Sequence, residues 1–258
     1  MTVKSQRDID GIMNAGRVVA CVRDAMLKAV APGMTTLELD QLGSELLDRF
    51  GARSAPRETY DFPGATCISI NEEAAHGIPG HRVIRAGDVV NVDVSAELDG
   101  YFADTGGTMV VPPVSKVKAR LCRATRAALT HALAQARAGA RINRIGKAVQ
   151  QTAKSHGFKV IRNLAGHGIG RHLHEEPVGI AGYFDRGDTR RLQPGQVIAV
   201  EPFLSTQSTH VTQAEDGWTL VGRPGNLSAQ YEHTIIVTKG APIVATRSDA
   251  TPRPNAWA

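Results

Sequence analysis

At 258 residues the chain can bury a full core, in one domain or in two tightly packed halves. Its three cysteines (Cys21, Cys67, Cys122) are an odd, sparse set without metal-ligand spacing and suit a reducing compartment. No apolar run is long enough to span a bilayer, and Met1-Thr-Val-Lys-Ser-Gln-Arg-Asp8 lacks the apolar segment of a secretory signal, so a globular cytoplasmic protein is expected. The net charge of +5, with a pI near 9.3, predicts a mild attraction to anionic partners.

Taken in order, Ser5-Gln-Arg-Asp8 starts a predicted helix reaching Val30, with Ile9, Ile12, Met13, Val19, Val22, Met26 and Leu27 as its core-facing stripe. Pro32-Gly33 breaks the chain, and Thr35-Thr-Leu-Glu38 is a capping box for a second helix from Thr36 to Phe50. Thr66–Ile70 is a short β-rich run, followed by a loop through His76-Gly-Ile-Pro79-Gly80. Val89–Ser95 alternates with period two, and Asp99-Gly100 signals a two-residue turn. The predicted hairpin pairs Leu98 with Tyr101, Ser95 with Asp104 and Asp93 with Gly106. After Pro112-Pro113, helices are expected at Ser115–Ala138 and Asn143–Ser155, around a break at Gly139. A glycine-containing loop should run on to Leu192, then strands at Gln196–Pro202 and Ser228–Thr238, with 243–258 as a flexible tail.

The second half repeats the first. Arg85-Ala-Gly87-Asp-Val-Val-Asn-Val-Asp93 and Gln193-Pro-Gly195-Gln-Val-Ile-Ala-Val-Glu201 share a glycine, a polar residue and a strand that ends in an acid. His76-Gly77-Ile78 precedes one and His167-Gly168-Ile169 the other, and each half begins as helix, glycine break, helix. The period is too long for a solenoid. A duplicated half-domain is expected, with half-repeats at roughly 5–113 and 114–242 closing one catalytic domain around a shared centre.

That centre would be acidic. Asp93 and Asp104 fall on one face of the hairpin as diagonal neighbours, roughly 7–8 Å apart at Cα, opposite Val90, Val92 and Val94. In an isolated hairpin such a pair would simply face solvent. Here Glu201 and Glu232 stand at the mouths of apolar strands, where an unpartnered carboxylate is costly to bury. With His167, set between glycines, they make five inward ligands dominated by oxygen. Such a set suits two adjacent divalent ions, and favours harder ones such as Mn²⁺ or Fe²⁺ without excluding Co²⁺ or Zn²⁺.

His-Gly-Ile-Pro, Asp, Asp-Thr-Gly, Gly-His-Gly-Ile-Gly, His-Glu-Glu-Pro, Val-Glu-Pro and Gln-Tyr-Glu-His-Thr follow one another over roughly residues 5 to 242, an order that resembles the type I methionine aminopeptidases. The resemblance implies the pita-bread fold, an α+β architecture whose pseudo-twofold halves form a curved antiparallel sheet backed by helices. It also implies removal of the initiator methionine from nascent polypeptides, with a small second residue preferred. Asp93 would chelate one metal, Asp104 and Glu232 would bridge two, and His167 and Glu201 would hold the second. A metal-bridging hydroxide would attack the scissile amide, with Glu201 shuttling its proton. His174 would stabilise the tetrahedral intermediate and His76 would orient the amide. Phe62, Cys67, Leu173 and Trp218 would line the pocket for methionine. Thr59-Tyr60-Asp61-Phe62-Pro63 departs from the family's common Tyr-His-Gly-Tyr-Pro, and Leu173 replaces an aromatic. These departures bear on specificity and rate and leave the metal ligands untouched.

Lys116, Lys118, Arg120, Arg123 and Arg126 cluster early in the third helix. Their plain reading is a solvated face; their functional reading is docking on ribosomal RNA. No oligomerisation stripe is evident, so a monomer is expected. Three rival functions are weighed. A proline-directed peptidase of the same fold usually has an extra N-terminal domain and a different last motif. An inactive peptide-binding relative would lack metal ligands, whereas all five are present. A cysteine hydrolase built on Cys67 and His76 would need an activated thiol, and an apolar-flanked cysteine is more often a small core residue.

Overall fold

The computed structural model describes residues 1–248. The first half comprises α1 (Gln6–Ala29), α2 (Thr36–Arg49), β1 (Arg53–Ser54), α3 (Ala55–Tyr60), β2 (Cys67–Ile70), β3 (Glu73–Ala75), β4 (Val89–Leu98) and β5 (Tyr101–Val110). The second begins with α4 (Lys116–Leu133), α5 (Asn143–His156), β6 (Lys159–Val160), β7 (Ala165–Gly168) and β8 (Glu175–Ala181). It continues with β9 (Val197–Val200), β10 (Phe203–Ser205), β11 (Thr212–Gln213), β12 (Leu220–Val221), β13 (Ser228–Gln230), β14 (His233–Ile236) and β15 (Ile243–Val244). No helix among the described residues is long and apolar enough to cross a membrane.

The helix signals act as read. Ser5 caps α1 by accepting from the Asp8 amide, and Thr35 with Glu38 closes a full capping box on α2. Asp99 and Gly100 both take positive φ, and the hairpin they close has the predicted register: Leu98 opposite Tyr101, Ser95 opposite Asp104, Asp93 opposite Gly106. Val90, Val92 and Val94 are fully buried and belong to the core that includes Ile12, Val19, Val22 and Met26 of α1. Asn91, Asp93 and Ser95 are thereby turned to the opposite face.

In the first half, β4 is flanked by β1, β2 and β5. In the second, the order is β15-β14-β9-β7-β8, and α4 with α5 covers a second core containing Leu121, Ile145 and Ile198. The antiparallel pair β9–β14 is the counterpart of the β4–β5 hairpin, opened by the 201–232 excursion that supplies β10 to β13. Threonines stitch the halves together. Thr234 Oγ1 accepts from the Asp104 amide at 2.9 Å and donates to the Asp104 carbonyl at 2.8 Å. Thr105 Oγ1 donates to the Glu232 carbonyl at 2.9 Å, and Thr108 Oγ1 to the Gln230 carbonyl at 2.7 Å.

Several elements differ from expectation. The run 228–238 is two strands, because at Glu232 the amide leaves its own sheet to donate to Gly106 of β5. The α4 helix stops at Leu133: the Gln135 and Ala136 amides tighten onto Ala132 and Leu133, three residues back, and the Ala138 and Gly139 amides then bond Thr238 and Leu192. The loop expected before Leu192 contains β8, and α3 is an additional short helix capped by Ser54. The tail expected over 243–258 is ordered at its start: β15 pairs with β14, and Thr246 Oγ1 lies 2.8 Å from His233 Nδ1. Its remainder lies outside the described residues.

Candidate active site

Beside the seam between the halves lies a cavity of about 280 Å³, lined by Phe62, Cys67, His76, Asp93, Asp104, His167, Leu173, His174, Glu201 and Trp218. Every residue expected at the site lies there except Glu232, which stands behind the wall and is 1% exposed. Pro56, Tyr60 and Ser95 also line the cavity and were not among the expected site residues. Ser95 was legible, two residues beyond Asp93 on the same strand face; nothing in the sequence pointed Pro56 at the cavity.

Different elements aim the acids inward. Asp93 and Asp104 come from β4 and β5, Glu201 from the residue after β9, and Glu232 from the break between β13 and β14. The Gln230 amide spans two of them: Nε2 donates to Glu232 Oε2 at 3.0 Å and to Asp93 Oδ2 at 3.3 Å. Its Oε1 accepts from Asn91 Nδ2 at 2.9 Å, which fixes the amide's orientation. Gly106 makes room for this side chain, since a Cβ there would overlap the amide. Sequence reasoning missed Gln230, although it precedes Glu232 by two residues.

His167 is held on β7 with Nδ1 2.9 Å from the Gly168 carbonyl. A carbonyl can only accept, so Nδ1 carries the hydrogen and Nε2 offers a lone pair. Burial, then the neighbouring His174, pushes its pKa down to about 3, so the ring is neutral. That lone pair faces Glu201 Oε1 at 3.5 Å and Asp104 Oδ2 at 3.9 Å, too far for a hydrogen bond and unfavourable between two acceptors.

Burial and mutual repulsion raise the pKa values of Asp93, Glu201 and Glu232 well above the carboxylate range, and burial raises that of Asp104. Among the described residues no lysine or arginine pairs with any of the four. Asp104 Oδ1 and Glu232 Oε1 are buried with no hydrogen-bond partner. Oxygens of Asp104 and Glu232 and a nitrogen of His167 lie within 4.8 Å of one another. Two atoms each about 2.1 Å from a shared ion stand roughly 3–4 Å apart, so the spacing and the unsatisfied oxygens fit a divalent cation.

The rest of the wall is apolar. Phe62 meets Trp218 edge-to-face, with ring centroids 5.2 Å apart, and Leu173 is buried. Burial, then the nearby Asp93 and Asp104, pushes the Cys67 thiol well up. That direction is opposite to an activated thiolate and speaks against the cysteine-hydrolase reading. His76 follows β3 with φ 55°, which turns its ring into the cavity lining. His174 packs against His167, the rings tilted at 51° with centroids 4.1 Å apart.

Comparison with known proteins agrees with this chemistry. The profile of metallopeptidase family M24 matches residues 10–239. Methionine aminopeptidase 2 of Bacillus subtilis (strain 168) is 46% identical over 248 residues, 96% of this chain and 100% of the relative. The crystal structure of a methionine aminopeptidase from Thermotoga maritima superposes with a TM-score of 0.91 at 34% identity, over 96% of this chain and all of that one. Prolidase from Pyrococcus furiosus shares the fold, with a TM-score of 0.77 at 21% identity over 96% of this chain and 66% of its own.

Proposed function

The chain belongs to metallopeptidase family M24 and has its pita-bread fold, and from that premise we infer that it removes the N-terminal initiator methionine from nascent polypeptides with a small second residue. The observation that carries this reading is the convergence of four inward carboxylates, two of them (Asp104 and Glu232) buried, and a neutral histidine, with no counter-cation among the described residues. We take Asp93, Asp104, His167, Glu201 and Glu232 to hold two divalent ions (Mn, Fe, Co or Zn), which when bound supply an acidified water and a Lewis acid for the scissile carbonyl.

The remaining steps fall to the chain's own groups. Glu201, at the cavity wall, takes the proton of the attacking water and passes it to the leaving amine. His174 donates to the carbonyl oxygen as negative charge develops there, and His76 orients the scissile amide. The methionine side chain lies against Phe62, Cys67, Leu173 and Trp218, an apolar wall that accepts an unbranched thioether. The cavity, small even for a ligand pocket, admits about one side chain.

The test is release of methionine from Met-Gly-Met-Met, with Leu-Gly and Ala-Pro peptides alongside, on metal-stripped protein and after each of Mn²⁺, Fe²⁺, Co²⁺ or Zn²⁺ is restored. Metal-dependent release of methionine alone is expected. Metal binding without cleavage would instead favour an inactive peptide-binding protein. A cytoplasmic monomer follows from the proposed substrate and the absence of an oligomerisation stripe. Ribosome docking through residues 116–126 has weaker support. Lys118 donates to the Gly87 carbonyl, Arg120 to the His156 carbonyl, and Arg126 to the Tyr231 hydroxyl. That leaves Lys116 and Arg123 as the cations without such bonds in this run.

A further inference from the structure

Tyr60 is the last residue of α3, and Asp61 beyond it turns the chain at φ 54°. The phenol leans over the cavity mouth, 43% exposed, with Oη 2.6 Å from Nδ1 of His174. The two rings are tilted at 44° with centroids 5.6 Å apart. So short an oxygen–nitrogen separation marks a strong hydrogen bond. A phenol O–H is a better donor than an imidazole N–H, and an unprotonated imidazole nitrogen is a better acceptor than a phenol oxygen. Oη therefore donates and Nδ1 accepts. In the neutral ring the hydrogen must then be on Nε2.

The geometry points to Tyr60 as a positioning residue that locks His174 in the Nε2–H tautomer, so that its ring presents a donor to the carbonyl oxygen of a bound N-terminal peptide. Its neighbour His167 is locked the opposite way, with Nδ1–H on the Gly168 carbonyl and the Nε2 lone pair inward. Two neighbouring imidazoles, tilted at 51° to each other, thus present opposite functions to one cavity: one offers a lone pair as a ligand, the other donates into it. Without the phenol, His174 can take either tautomer or turn over, and only one of these arrangements donates inward. The catalytic consequence rests on the aminopeptidase reading; the tautomer does not.

The test has two arms. Metal-free protein labelled with ¹⁵N at histidine is examined by two-bond ¹H–¹⁵N correlation, and wild type should show His174 with a bare Nδ1 and a protonated Nε2. Tyr60→Phe should lose that single pattern while keeping its thermal midpoint. In steady-state assays on Met-Gly-Met-Met with Mn²⁺ restored, Tyr60→Phe should lower kcat about tenfold, the worth of one good hydrogen bond, with KM within about twofold. An Nδ1–H signal for His174 in wild type would overturn the proposal, as would an unchanged tautomer and unchanged kcat in Tyr60→Phe. Wild-type protein with the stated tautomer but no methionine release under any metal would overturn the aminopeptidase reading alone.

Discussion

Replacing Asp104 by asparagine should stabilise the metal-free protein while removing one of the proposed metal ligands. Asp104 is 8% exposed, its Oδ1 has no partner, and burial raises its pKa from the ordinary 3.8 to about 6. A carboxyl whose folded pKa is raised holds its proton more tightly in the native state. Its contribution is therefore intact below pH 4 and is lost as the pH rises through about 6. A rise from 3.8 to about 6 corresponds to roughly 3 kcal/mol. Asparagine has nearly the same shape and no charge, so at pH 8 it escapes this cost, while at pH 4 the two proteins should be nearly equal. For a chain of this size the gain amounts to roughly 6–12 °C in thermal midpoint. The assay is thermal unfolding of chelator-treated wild type and Asp104→Asn at pH 4 and pH 8. The buried histidines are common to both proteins, so the difference reads the loss of the Asp104 charge together with the relief it gives Asp93, Glu201 and Glu232. Mn²⁺ should then raise the wild-type midpoint and leave that of the variant almost unmoved. A variant less stable than wild type at pH 8 without metal would refute the reasoning, because it would mean that burying the Asp104 carboxylate carries no such cost.

Gln230→Leu should weaken divalent-ion binding about 10–100-fold, the usual consequence of removing a group that orients ligands; calorimetric titration of the metal-stripped variant checks it. His174→Ala should bind metal as wild type does and lose about 10²–10³ in kcat, the scale of a lost oxyanion donor, and retained turnover would remove its assigned role. Reversing the charges of Lys116 and Arg123 should reduce co-sedimentation with ribosomes in a salt-sensitive manner if that helix docks on RNA. Unchanged sedimentation would leave the run as a solvated face.

What the sequence revealed depended on how local the governing interactions are. The β4–β5 register was readable because Asp99-Gly100 fixes the turn and the valines fix the face. The two inward acids followed directly. The acids of the second half were visible as Glu201 closing one apolar run and Glu232 entering another, but the split between β13 and β14 was not. The bond that causes it joins residue 232 to residue 106 across the seam. The same holds for Gln230, whose role needs Asn91, Asp93 and Glu232 to be brought together from three places in the chain. The α3 helix is six residues long, too short for periodicity to register, although Ser54 and Pro56 were its start signals. Tyr60 looked like a substitution at a pocket edge, because its partner His174 lies 114 residues away.

The threonine-stitched seam also sets the order in which competence arrives during synthesis. Asp93 and Asp104 belong to the half that emerges first, His167, Glu201 and Glu232 to the half that follows, and the groups that clamp Asp104 and Gly106 in place come from residues 232 and 234. An N-terminal half folded early, as the leading parts of a growing chain tend to be, would carry two acids and no completed cradle. On the proposed assignment it would lack three of the five side chains that hold metal, and Glu232, the last of the five to be made, completes the ligand set.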